Sequence, residues 1–127
     1  MSVRFKRLRS SATFAGLATL TLLSGCMGPT HNQSELKAIK AEAQSLVATH
    51  PIKPKGWADV PESEWPPVIA SLQPYSVTVH TWGVDIWIKP YFDGGWGYAV
   101  ARNKRDLPML EKCWSEPGQG VFWHGPC

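Results

Sequence analysis

No aspartate or glutamate precedes Glu35. The front of the chain instead holds Arg4, Lys6, Arg7 and Arg9, four of the 13 basic residues, so the formal net charge of +3 belongs to the leader. Beyond residue 25, nine basic groups stand against ten acidic ones. A nucleic-acid binder needs a basic face to neutralise phosphates, and none is left. The one basic cluster, Ala101-Arg102-Asn103-Lys104-Arg105, reads as a solvated turn. Membrane-spanning apolar runs are missing too. Ala12 to Leu23 is apolar for about a dozen residues, against the ~20 that cross a bilayer as a helix. Cysteine is scarce, with three in 127 residues. Phosphate loops, dinucleotide fingerprints and internal repeats are absent. No serine or cysteine sits in a recognisable nucleophile context. Catalysis is therefore the least supported class, and no catalytic residue is assigned.

What is present at the front is a basic n-region, an apolar h-region and then Leu23-Ser24-Gly25-Cys26. That pattern belongs to a cleaved signal rather than a permanent span. The last four residues resemble the lipobox of bacterial lipoproteins: an aliphatic residue, two small residues and the cysteine that receives lipid. The resemblance covers residues 1 to about 28 and implies address, not activity. It implies that residues 1–25 are removed as a signal peptide. Cys26 then carries diacylglycerol and an N-acyl lipid, with no other cofactor. Met27 follows Cys26 where an aspartate would mark inner-membrane retention, so the resemblance implies the outer membrane, facing the periplasm.

With Cys26 taken as the lipid acceptor, Cys113 and Cys127 remain as an even pair in a compartment where disulfides persist. A bond between them closes a 15-residue loop, which stabilises by about 3 kcal/mol on the chain-entropy estimate. The alternative is a metal site built from Cys113, Cys127 and His124. It lacks paired ligand spacing and needs reduced thiols, so no metal is expected.

Removing 25 residues from 127 leaves 102, enough for one small domain. Residues 26–31, with Gly28-Pro29-Thr30, read as a lipidated tether, and 32–127 as a single α+β domain. A first helix begins with Asn32 as N-cap and Glu35 at its third position. Leu36, Ile39, Ala43, Leu46 and Val47 form its apolar stripe, and His50 before Pro51 ends it. Ile52 to Asp59 reads as an irregular connection. Trp65 to Leu72 reads as a second helix with prolines in its opening turn.

Three strands follow: Tyr75 to His80, Val84 to Lys89 and Trp96 to Val100. Setting Val79 opposite Val84 gives a four-residue loop, His80-Thr81-Trp82-Gly83. A three-residue loop at Asp93-Gly94-Gly95 sets Ile88 against Val100 and Pro90 against Tyr98, keeping the faces consistent. The expected fold is thus two N-terminal helices packed on a three-stranded antiparallel meander, with a disulfide-closed C-terminal segment.

One face of that meander is core: Val77, Val79, Val84, Ile86, Ile88, Tyr98 and Val100. The other carries Thr78, His80, Asp85, Trp87, Lys89 and Tyr91 beside the small residues Gly97, Ala99 and Ala101. On one reading the C-terminal segment, with Trp114, Val121, Phe122 and Trp123, folds over this trough. On the other, Thr78, His80, Trp82, Asp85, Trp87 and Tyr91 form an open binding face. All seven tryptophans lie after residue 56, and indoles are favoured at interfaces. His80 and Asp85 are placed to approach across the first hairpin, but no nucleophile accompanies them. The expected function is a membrane-anchored periplasmic lipoprotein acting as a non-catalytic protein-interaction module: an inhibitor, an immunity-like protein or an accessory subunit. Its expected partner is an envelope protein. The alternative is a glycan-binding module whose exposed tryptophans stack on peptidoglycan sugars.

Overall fold

The computed structural model describes residues 28–127. The expected signal peptide of residues 1–25 and the expected lipid site at Cys26 lie outside the described residues. Within the stretch expected to be a tether, the Thr30 N–H donates to the Tyr98 hydroxyl at 2.8 Å.

Helix α1 spans Gln33–Thr49. The Asn32 side chain accepts from the backbone N–H groups of Ser34 and Glu35, satisfying two donors that have no helical partner. Leu36, Ile39, Ala43 and Leu46 recur at three- and four-residue steps and are buried, whereas Val47 lies off the stripe and is 47% exposed. The helix stops at His50, because Pro51 disfavours helical backbone in the residue before it. Strand β1, Trp57–Asp59, lies inside the stretch expected to be irregular. Only five residues of the expected second helix are helical, in α2, Pro67–Ser71, after a single 3-10 turn at Glu62–Glu64.

The rest is sheet: β2 (Ser76–His80), β3 (Gly83–Tyr91), β4 (Gly94–Ala101), β5 (Trp114–Gly118) and β6 (Val121–His124). All pairings are antiparallel, in the order β1-β2-β3-β4-β6-β5. The expectation of two helices on a three-stranded meander is therefore wrong. The molecule is a six-stranded antiparallel sheet crossed by one long helix, with one short helix beside it. The C-terminal segment does not lie over the meander. It returns as a hairpin and extends the sheet sideways, with β6 paired to β4.

Register explains which parts of the expected pairing survive. Val79 faces Val84, but His80 also pairs with Gly83, so the first loop is only Thr81-Trp82. In the second hairpin Val84 faces Val100 and Ile86 faces Tyr98, four residues away from the expected Ile88–Val100 match. An even shift preserves the faces. A bulge between Trp87 and Lys89 then adds one residue to β3, and beyond it the alternation inverts. Lys89 and Tyr91 accordingly pair with Trp96 and Gly94, which share the face of Tyr98 rather than that of Trp87.

The core lies between α1 and one face of the sheet. It joins the α1 stripe and Ile69 to Val77, Val79, Val84, Ile86, Tyr98, Val100, Val121 and Trp123. Each fully buried aliphatic side chain here contributes about 1.5–3 kcal/mol. Polar contacts fix the helix across it. Gln33 Nε2 donates to the Pro117 carbonyl at 3.0 Å, and Glu42 accepts from the N–H groups of Val68 and Ile69 at 2.8 Å each. A disulfide joins Cys113, just before β5, to Cys127, just after β6, with Cα atoms 5.7 Å apart.

Candidate functional site

The sheet face opposite α1 is built in three cross-strand rows. The first runs Trp57, His80, Gly83, Ala101; the second Asp59, Thr78, Asp85, Ala99, Phe122; the third Ser76, Trp87, Gly97, His124, Trp114. The rows are two residues apart along each strand, so the first and third are separated by about 13 Å.

This face divides into a closed and an open half. On the β4–β6 side a second apolar cluster forms from Ala99, Ala101, Leu107 and Phe122, with Trp82, Met109 and Trp114 packed against it. Trp114 meets Phe122 edge-on at 5.0 Å. Leu107 and Met109 come from the connection between β4 and β5, so that connection covers the trough beside Ala99 and Ala101. Val121 and Trp123 point instead into the main core. On the β1–β3 side Trp57 is 43% exposed and Tyr75 65% exposed. Thr78, His80, Asp85 and Trp87 are half-buried there, with edges at the surface.

The six residues of the expected binding face separate accordingly. Thr78, Asp85, Trp87 and His80 share the open half. Trp82 turns toward the closed half, and the His80 ring stacks on it, nearly parallel, at 5.1 Å. Tyr91 leaves the face altogether because of the bulge and packs against Phe92 at 4.7 Å and Trp96 at 5.5 Å. Trp87 takes Tyr75 as its edge-on partner at 5.5 Å. Its indole lies over Gly95, where a Cβ would strike the indole nitrogen; at Gly97 a Cβ would strike the Ile86 carbonyl oxygen. Both glycines are required by close approach.

Hydrogen bonds in the open half follow the rows. The Thr78 hydroxyl donates to Asp59 Oδ1 at 3.2 Å. Asp85 does not meet His80, which lies in the next row. It instead meets His124 Nε2 at 3.1 Å, reaching diagonally past Gly97 and Ala99. His124 is buried at 8% exposure, at the end of β6. The available signal was the pair of small residues on β4, which leaves room for side chains on its two neighbours to meet. Because Cys113 and Cys127 are bonded to each other, they cannot act as thiolate ligands with His124.

The open half is a shallow, polar strip between two aromatic stations, Trp57 with His80 at one end and Tyr75 with Trp87 at the other. One depression of about 330 Å³, lined by His50, Lys53, Val79, His80 and Thr81, borders the His80 end of the strip, and another of about 340 Å³ lies beside Lys104 and Met109. Chemically the strip offers stacking surfaces and hydroxyl and carboxylate acceptors, with no nucleophile facing the imidazole. Among the described residues no helix is long and apolar enough to cross a membrane. Comparison of the chain with protein-family models, curated proteins and solved structures finds no match.

Proposed function

We propose that this protein is a lipid-anchored envelope lipoprotein whose open half-face docks a second envelope protein. The observation that carries the reading is the arrangement of Trp57, Tyr75, Trp87 and His80 around a polar strip that has no enclosing walls. Flat surfaces with aromatic anchors and a hydrogen-bonded polar surround suit a macromolecular partner better than a small ligand, which needs concavity. The Thr78–Asp59 and Asp85–His124 contacts hold the strip in place before the partner arrives, which limits the ordering cost of association. The anchor reading rests on the lipobox resemblance at Leu23-Ser24-Gly25-Cys26, and the outer membrane is the address it favours.

A second reading, binding of peptidoglycan, is favoured by one observation. The two aromatic stations arise from backbone rows about 13 Å apart along the strands with acceptors between them, an arrangement suited to sugar rings stacking at both ends of one chain.

Crosslinking of the tagged protein in the native envelope, followed by mass spectrometry, separates the two. One abundant envelope protein, lost with Trp57→Ala, is the expected result. Capture of peptidoglycan fragments without protein would put the glycan reading first. For the anchor, Cys26→Ser should abolish lipid labelling and leave an unprocessed precursor. Normal processing of that variant would overturn the lipobox assignment.

A further inference from the structure

The two edges of the sheet are not alike. Strand β5 carries Pro117 and pairs irregularly with β6 between Ser115 and Gly118, and both features block further pairing. Strand β1, Trp57–Asp59, has neither proline nor bulge. Its register with β2 continues to Val60, whose N–H donates to the Val77 carbonyl at 2.9 Å. Direct bonds of this kind join every second residue pair of an antiparallel ladder. Ala58, opposite Val79, therefore turns its N–H and C=O toward β2, and Trp57 and Asp59 turn theirs to the open edge. Among the described residues no strand but β2 pairs with β1, and no loop backbone bonds to these outward groups.

The side chains along this edge are self-complementary. Lys53 and Lys55 precede the strand, Asp59 and Glu62 end it, and all are exposed. Turned end for end, a second copy brings its acidic end to the basic end of the first. One symmetric register uses every outward group: Trp57 opposite Asp59 of the second copy, and Asp59 opposite its Trp57. A register with Asp59 facing its own copy sets like charges together and is disfavoured. In the favoured register Ala58 faces Ala58 across the two-fold axis. That pair exchanges no hydrogen bonds, so its Cα atoms approach to about 4.5 Å, and alanine leaves room for the approach. The two Trp57 side chains, 43% exposed in the single chain, lie diagonally across the axis on one face, within reach of each other.

We infer that β1 pairs with β1 of a second copy, antiparallel about a two-fold axis at Ala58, joining two sheets into one. This dimer is separate from the docking of an envelope protein and sets two open half-faces side by side for it. Three residues of edge per copy bury far less than the ~1,200 Å² of a stable interface, so free copies stay apart at low concentration. Copies confined to one membrane by their lipid meet at a higher effective concentration. Pairing thus follows surface density, and the anchor reading enters only through that confinement.

The test uses the full chain processed by a bacterial host and reconstituted in phosphatidylethanolamine–phosphatidylglycerol vesicles at several protein densities. Hydrogen exchange at the Trp57 and Asp59 amides should slow several-fold as density rises, with the Thr81 amide unchanged. Ala58→Cys should give a disulfide-linked dimer under mild oxidation, several-fold more than Thr81→Cys on the exposed hairpin tip. Adding Asp59→Lys should remove that excess, because both ends of the edge are then basic. Exchange at Trp57 and Asp59 that ignores density, or equal dimer yields from positions 58 and 81, would overturn the pairing and leave the docking role standing. If intact mass shows Cys26 unmodified, the anchor reading fails, and the same slowing is then sought against concentration in solution. Its absence there would overturn the pairing too.

Discussion

Glu42 is the polar link between the two helices, and its removal has a size that can be worked out from the structure. Helix α2 opens on Pro66 and Pro67, and its own N-cap residue, Pro66, supplies no capping side chain. Its exposed donors are met from α1 instead: Glu42 Oε1 accepts from Val68 N–H and Oε2 from Ile69 N–H, each at 2.8 Å. Ile69 is fully buried, so its N–H has no route to water when the carboxylate is gone. An unpaired buried donor costs about 1–3 kcal/mol, and loss of a helix cap about 0.5–2 kcal/mol. These describe overlapping contacts, so Glu42→Ala should cost about 2–3 kcal/mol. Glu42→Gln keeps one acceptor oxygen but turns an amide N–H₂ toward the other donor, and should cost about 1–2 kcal/mol. The assay is urea unfolding, read as a shift in midpoint at constant slope. Against a total of about 5–15 kcal/mol for a domain of this kind, the effect is easily resolved. A Glu42→Ala midpoint within about 0.5 kcal/mol of the parent would refute the reasoning.

Three further outcomes are expected. Cys113→Ala with Cys127→Ala should cost about 3 kcal/mol, because the bond closes a 15-residue loop around β5 and β6; unfolding curves unchanged by reduction would contradict this. Tyr98 is held above its ordinary value of 10.0, first by burial and further by the Glu35 charge, against the opposing effect of the Thr30 N–H. The fold therefore favours the neutral phenol, and that stability is present below pH 10.0 and lost as pH rises through the folded value. Tyr98→Phe should flatten the alkaline loss in urea midpoints, and an identical loss in both proteins would count against it. A double-mutant cycle on Asp85 and His124 should give a coupling of about 1–2 kcal/mol, between the ranges for neutral and charge-assisted hydrogen bonds. Independent effects of the two substitutions would show that the contact contributes nothing.

Residue patterns made some of this structure legible. Asn32 and the Leu36-Ile39-Ala43-Leu46 spacing mark α1 because a helix announces itself through local periodicity and a cap. The faces of β2, β3 and the main part of β4 follow from alternation alone, since each strand has one face in the core and one outside. Strand β6 gives no such signal. Val121 and Trp123 enter the main core, while on the other face Phe122 joins the second cluster and His124 meets Asp85, so all four are buried and the run does not alternate. Strand β5 carries Pro117 and pairs irregularly, and β1 has only three residues within a proline- and glycine-rich stretch. Missing those three strands turned a six-stranded sheet into a meander of three.

The candidate face was legible to the extent that alternation held. Thr78, Asp85 and Trp87 lie where parity puts them. Tyr91 does not, because a single inserted residue at the Trp87–Lys89 bulge inverts the pattern, and no residue type in that stretch announces a bulge. The Asp85–His124 contact depends on two strands with a third between them, a relation that local periodicity does not encode.

The most direct test of a docking role for the open half-face is site-specific photo-crosslinking in the native envelope, with the photoreactive aromatic residue at Tyr75 and, as control, at Arg105 beside the closed half. The account predicts one discrete protein adduct from position 75, lost with Trp57→Ala, and none from position 105. No adduct at 75, or the same adducts from both positions, would contradict it.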